Sequence, residues 1–152
     1  MNRVYYVAEK EFQRLRPLCE FISYAGSIRR KVPDAKDVDF VVIPKNVTQL
    51  QSYVLTHQAG NIGVGKAQMS YKYLGVEVDL FIASRDDWGA QLHWRTGPKG
   101  HNIGFCCIAK KAGWTLNEHG LWSGGTLLAG KTEEDIYKYL GKTWKAPELR
   151  GL

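Results

Sequence analysis

Residues 37–44, DVDFVVIP, constrain this chain more than any other stretch. Alternation puts Val38, Phe40 and Val42 on one face of a strand and Asp37, Asp39 and Val41 on the other. Residues 75–82, GVEVDLFI, repeat the arrangement: Val76, Val78, Leu80 and Ile82 form an apolar face, while Glu77, Asp79 and Phe81 point the other way. Each strand must bury its apolar side against a core and leave acids on its other side. If the two are neighbours in one sheet, the carboxylates of Asp37, Asp39 and Asp79 converge.

Three converging carboxylates repel one another and raise each other's pKa values. Divalent ions relieve this, and Mg²⁺ favours oxygen ligands shared with substrate phosphates. A pair of such ions can activate an attacking hydroxyl and stabilise a leaving pyrophosphate. An Asp-x-Asp pair on a strand is common without any ligand, so the pair needs support from its surroundings. Gly26-Ser27-Ile28-Arg29-Arg30, just upstream, supplies it. Glycine lets backbone approach a phosphate, a serine hydroxyl and backbone N–H groups at a helix start bind anions, and arginine offers a planar fork of donors. Anion donors followed by paired acids suit a nucleoside triphosphate with its metals. Alone, the segment reads more readily as a turn with two solvated arginines.

The remaining pattern is mixed. Helical spacing spans residues 8–21, interrupted by Pro17; residues 22–25 form a short strand; a helix capped by Thr48 covers 48–55. Residues 61–66 and 68–74 are expected as hairpin strands. Ser84 caps a helix running to Trp94, Thr96-Gly97-Pro98 breaks it, and a second helix covers 102–112. Short strands follow near 114–116, 119–122 and 126–128, then a helix from Thr132 to Leu140 closed by Gly141, and an irregular tail. The order predicts an α+β protein: a small mixed β-sheet flanked by helices over residues 1–84, and a small C-terminal α/β lobe over 85–152.

Hydrophobic residues make up 44% and charged residues 24% of the 152, which excludes the disordered class. No apolar run is long enough for a membrane helix, and no signal-peptide core opens the chain, so an intracellular protein (cytoplasm or nucleoid) is expected. Cys19, Cys106 and Cys107 form neither a disulfide framework nor a metal-binding spacing. The net charge of +6 favours phosphate-rich partners.

Gly26-Ser27-x-Arg29-Arg30 followed by Asp37-x-Asp39 resembles the signature of the DNA polymerase beta superfamily. The second half narrows the resemblance. Residues 96–102, TGPKGHN, look like the thumb motif of family X DNA polymerases; residues 116–121, LNEHGL, resemble that family's LNEYGL segment; residues 132–137, TEEDIY, with 146–150, APELR, are similar to its closing stretch. The resemblance implies a nucleotidyltransferase palm over 1–84 and a thumb over 85–152. It implies that Asp37 and Asp39 ligate two metal ions, with Asp79 joining them at the catalytic one and helping to deprotonate a primer 3′-hydroxyl. Ser27 and Arg30 would hold the triphosphate, with Gly26 and Lys36 in the same nucleotide-binding set. Trp94 would pack on the incoming sugar, Gly97 would begin the nucleotide-facing thumb segment, and Asn102 would reach the nascent base pair. The implied cofactor is Mg²⁺, with Mn²⁺ as an alternative. The implied partners are gapped or primer–template DNA and dNTPs, with no membrane, and a monomer is expected.

The chain departs from the family pattern in several places. Pro98 stands for the usual serine, Arg95 for a second aromatic in many relatives, and Cys106 for an arginine. Glu77 stands where some relatives carry a basic residue; it either adds charge to the site or contacts solvent, with solvent the expected place. About 25 residues precede Gly26, so an N-terminal lyase domain and DNA-gripping hairpin helices are expected to be missing. DNA grip would then fall to the basic surface, with Lys66, Lys72, Lys99, Lys110 and Lys111 as candidates and Lys142 and Lys145 beside them. The expected function is template-directed DNA synthesis in short gaps of damaged DNA. Two alternatives remain: a template-independent nucleotidyltransferase acting on a tRNA, a protein or a small molecule, and an inactive nucleic-acid-binding relative.

Overall fold

The computed structural model describes residues 2–56, 63–64 and 67–151. The chain divides into two compact units, Met1–Ala83 and Ser84–Leu152.

Unit 1 opens with helix α1 (Arg3–Leu15), which is longer at its start than the apolar spacing predicts. Asn2 is the reason: its side-chain oxygen accepts from the Val4 backbone N–H at 2.8 Å, satisfying a first-turn donor. Val4, Val7, Ala8, Glu11 and Leu15 form the buried stripe. The helix stops before Pro17, which sits in a 3₁₀ turn over Arg16–Leu18. Strand β1 (Cys19–Ala25) therefore starts three residues earlier than expected.

A one-turn helix, α2 (Gly26–Arg29), follows directly on β1, and a loop leads to β2 (Val38–Pro44). Helix α3 (Val47–Thr56) is capped by Asn46, not Thr48: the Asn46 side chain accepts from the Gln49 N–H at 3.1 Å. β3 (Gly63–Val64), β4 (Gln68–Tyr73) and β5 (Val76–Ile82) complete the sheet. Of the strand expected over 61–66, residues 61, 62, 65 and 66 lie outside the described residues. Leu74 and Gly75, with φ of 51° and 78°, form the two-residue turn joining β4 to β5.

The sheet order is β1-β2-β5-β4-β3. β1 pairs antiparallel with β2, β4 with β5 and β3 with β4, whereas β2 and β5 run parallel. The apolar faces read from the sequence lie together: Val38, Phe40, Val42, Val78 and Leu80 join one core with Val7, Leu15, Leu50 and Val54 of α1 and α3. The two helices cover that face, so the acids must occupy the opposite one. Within the core, Glu11 is fully buried and accepts from the hydroxyls of Tyr71 at 2.6 Å and Tyr53 at 2.9 Å and from Arg14 at 3.1 Å.

Unit 2 contains α4 (Trp88–Thr96), α5 (Lys99–Lys111), a three-stranded antiparallel sheet of β6 (Thr115–Asn117), β7 (Gly120–Ser123) and β8 (Thr126–Ala129), and α6 (Glu133–Tyr139). Ser84 does not open α4 as expected. The Asp87 carboxylate instead accepts from the Ser84 N–H and hydroxyl, holding an extra turn ahead of the helix. α5 starts three residues earlier than expected, directly after Pro98, whose fixed φ suits the entry to a helix. Thr132 caps α6 by accepting from the Asp135 N–H at 3.1 Å. The tail is more ordered than its sequence suggests: Pro147–Leu149 form a 3₁₀ turn, and Arg150 is buried against Glu133. Phe105, Ala109, Leu116, Leu121, Ile136 and Tyr137 make this unit's separate core.

Candidate active site

The parallel pairing of β2 with β5 sets Asp39 directly beside Asp79, with Val38 beside Val78 one step back. Side chains of register partners project from the same face, so Asp39 and Asp79 share the face turned away from the helices. Asp37 lies two residues before Asp39 and reaches the same place. One carboxylate oxygen each from Asp37, Glu77 and Asp79 lie within 4.8 Å of one another. Glu77 is exposed, as its sequence position suggested, and its carboxylate also lies within the acidic group.

The electrostatics follow from this crowding. Burial first, then the charges of Asp37 and Asp79, pushes the Asp39 carboxyl up to about 7. Glu77 is also raised above the ordinary carboxylate value, chiefly by the charge of Asp79, with Lys72 acting in the other direction. Asp79 is buried, and its Oδ1 accepts from the Ser70 hydroxyl at 2.6 Å. Ser70 was missed in the sequence. A signal for it exists: a two-residue turn at Leu74-Gly75 fixes the β4–β5 register, which pairs Ser70 with Asp79 and Lys72 with Glu77.

The glycine–serine segment meets the acids. Ala25, the last residue of β1, pairs with Asp39, and the chain then turns into α2 with Gly26 at φ 55°. A Cβ on Gly26 would collide with Oδ2 of Asp39, so glycine is required by both the backbone and the approach. Ser27 and Arg30 are half-buried on and just after α2, and Lys36 is exposed immediately before Asp37.

The residues expected in unit 2 also group together. Trp94 lies near the end of α4, Gly97 follows it with φ 65°, and the Gly97–Pro98 peptide is cis. The Asn102 side chain donates to the Trp94 carbonyl at 2.8 Å, tying α5 to the end of α4. Beside it, His101 stacks on Phe105 and its Nε2 lies 2.9 Å from the Tyr137 hydroxyl. Lys99, Lys110 and Lys111 are exposed on α5 and Lys72 on β4, while Lys66 lies outside the described residues.

The donor set on the acidic face is entirely carboxylate oxygen, and burial together with its like charges holds Asp39 partly protonated near neutral pH. Such a set fits hard divalent cations. Among the described residues no helix is long and apolar enough to cross a membrane.

Comparison with known proteins agrees with both halves. Residues 91–151 match the DNA polymerase beta thumb model. The chain is 30% identical over 155 residues to "Repair DNA polymerase X" of African swine fever virus (isolate Warthog/Namibia/Wart80/1980), covering 91% of this chain and 86% of the relative. The protein of the same name from isolate Tick/South Africa/Pretoriuskop Pr4/1996 matches at 30% with the same coverage. "DNA polymerase/3'-5' exonuclease PolX" of Bacillus subtilis (strain 168) is 27% identical over 136 residues, which are 84% of this chain but 24% of that protein. A viral relative aligned over nearly its whole length, a thumb matched across most of unit 2 and an acidic face beside a glycine–serine turn leave one family: the chain belongs to the family X DNA polymerases.

Proposed function

We propose that the chain is a template-directed DNA polymerase that adds dNMPs to a primer 3′-hydroxyl, acting as a monomer on short gaps in damaged DNA. The observation that carries this reading is the meeting of Asp37, Asp39 and Asp79 beside Gly26 on one sheet face. The names of the viral relatives, repair DNA polymerases, support it.

In this reading unit 1 is the palm and unit 2 the thumb. Asp37, Asp39 and Asp79 hold two divalent ions, Mg²⁺ by preference for oxygen ligands. When bound, such ions lower the pKa of the attacking hydroxyl and neutralise charge on the leaving pyrophosphate. The chain's own residues do the positioning. Gly26 keeps the backbone close to Asp39 and clear of a side chain, so that the first amides of α2 and the Ser27 hydroxyl face a triphosphate. Arg30 and Lys36 add positive charge to the same anion. Ser70 holds Asp79 in one rotamer by its 2.6 Å hydrogen bond. In the thumb, Trp94 packs on the sugar and Gly97 leaves its backbone accessible. Asn102 exchanges its bond with the Trp94 carbonyl for the nascent base pair. Lys72, Lys99, Lys110 and Lys111 contact DNA phosphates, and their contribution falls as salt rises.

Primer extension on a one-nucleotide gap with Mg²⁺ or Mn²⁺ tests the proposal. The expected product carries the nucleotide complementary to the template. Equal incorporation of all four nucleotides whatever the template would point to a template-independent transferase. Tight binding to gapped DNA with no turnover in either metal would point to an inactive relative.

A further inference from the structure

The acidic face holds four carboxylates, and the fourth has an explanation in the sheet itself. β2 and β5 pair in parallel with a constant offset: Val38 with Val78, Asp39 with Asp79, Phe40 with Leu80. Extending this offset one step before β2 sets Asp37 next to Glu77. Glu77 stands to Asp37 as Asp79 stands to Asp39, and the four side chains occupy two successive rungs of one face. The ligand atoms bear this out, since oxygens of Asp37, Glu77 and Asp79 fall within 4.8 Å of one another. An octahedral Mg²⁺ with oxygens at about 2.1 Å spans about 4.2 Å between opposite ligands. Adjacent ligands of the same ion lie about 3.0 Å apart, so groups within 4.8 Å of one another need to close by at most about 2 Å, within the reach of side-chain rotation, to share one ion.

Resting on the two-metal reading above, we infer that Glu77 is a ligand of the divalent-ion site and lets the protein hold an ion before nucleotide arrives. Mg²⁺ in phosphate-transferring sites is commonly held by one or two carboxylates and completed by substrate phosphates. A third carboxylate on the same ion supplies from the protein what a triphosphate otherwise brings. The rival role for Glu77 is a cross-strand pair with Lys72, its register partner on β4. Both side chains are exposed, and such pairs contribute little.

Titration of the full chain with Mn²⁺, without nucleotide or DNA, tests this by following the electron paramagnetic resonance signal of free Mn²⁺. Glu77→Gln keeps the shape of the side chain and removes its charge. It is expected to weaken Mn²⁺ binding by about tenfold or more, the scale of losing a group that supports a metal site. Glu134→Gln removes the same charge from an exposed position in unit 2 and is expected to leave the affinity unchanged. Melting in EDTA is expected to show Glu77→Gln folded as well as wild type. Wild-type affinity in Glu77→Gln together with lost affinity in Asp79→Asn would overturn the role of Glu77 and leave the site reading standing. Wild-type affinity in both would overturn the site reading as well. An equal loss in Glu134→Gln would reduce the effect to overall charge and overturn the inference.

Discussion

Asp39 and Asp79, forty residues apart in sequence, are register partners on adjacent parallel strands, and the hydroxyl of Ser70 fixes Asp79 from the strand beyond. In the proposed polymerase reading, that is where Asp79 would hold an ion beside a primer hydroxyl. Asp79→Asn keeps the size of the side chain and its bond to Ser70 but removes a charged ligand. Metal ions supply several kcal/mol of transition-state stabilisation, so kcat should fall by about a thousandfold or more. Gapped-DNA affinity, measured by fluorescence anisotropy, should change by less than about threefold, because backbone phosphates rather than the acids dominate it.

Removal of divalent ions should expose the repulsion on the acidic face as a pH dependence. The Asp39 carboxyl is raised from 3.8 to about 7, by burial first and then by its acidic neighbours. Between those values the folded protein binds more protons at Asp39 than the unfolded chain does. The stability it contributes is therefore complete at the acid end and is lost as pH rises through about 7. In EDTA, the melting temperature of wild type should fall relative to Asp39→Asn across this window. Saturating Mg²⁺ should close the gap above pH 7. Parallel melting curves for the two proteins in EDTA would contradict the expectation.

Gly26 carries two demands that a matched control separates. Gly26→Ala places a side chain at φ 55° and against Oδ2 of Asp39, whereas Gly75→Ala, at φ 78°, meets nothing within 4 Å. Both should lose about 1–2 kcal/mol of stability to left-handed backbone strain. Only Gly26→Ala should also lose activity, by about a hundredfold in kcat/KM, the scale of a misplaced catalytic group. Denaturant melts and gap-filling kinetics on the two variants check this.

The acidic face was legible in the sequence because alternation fixes which side of a strand each residue takes, and two strands with matching apolar faces have one way to share a core. The exposure of Glu77 was legible, but its nearness to the other acids was left open because that depends on the neighbouring strand, which periodicity within one strand does not report. The β2–β5 register supplies that information. Helix starts were less legible for a local reason. Asn2 caps α1 ahead of its apolar spacing, Asn46 outcompetes Thr48 at α3, and the Asp87 carboxylate ties Ser84 into a turn before α4, choices that backbone geometry makes. Ser70 was recoverable from the Leu74-Gly75 turn, while the partner of Arg150 depends on how a proline-containing tail folds back, for which no sequence period exists.

That fold-back gives the last prediction. Arg150 and Glu133 form a bidentate pair, with Nη1 to Oε2 at 2.8 Å and Nη2 to Oε1 at 3.2 Å, and both residues are at most 4% exposed. The Arg150 Nε donates to the Lys145 carbonyl at 3.0 Å, and the Trp144 indole donates to Glu133 Oε1 at 3.2 Å, so the tail closes over the start of α6. Removing one partner leaves a buried charge without compensation, which typically costs about 3–5 kcal/mol. Arg150→Met should therefore destabilise the protein by about that amount. Adding Glu133→Gln should recover part of the loss, because the orphaned charge is then gone. Urea melts of the two single variants and the double variant measure the coupling. Additive losses would mean that the pair contributes no more than two independent contacts.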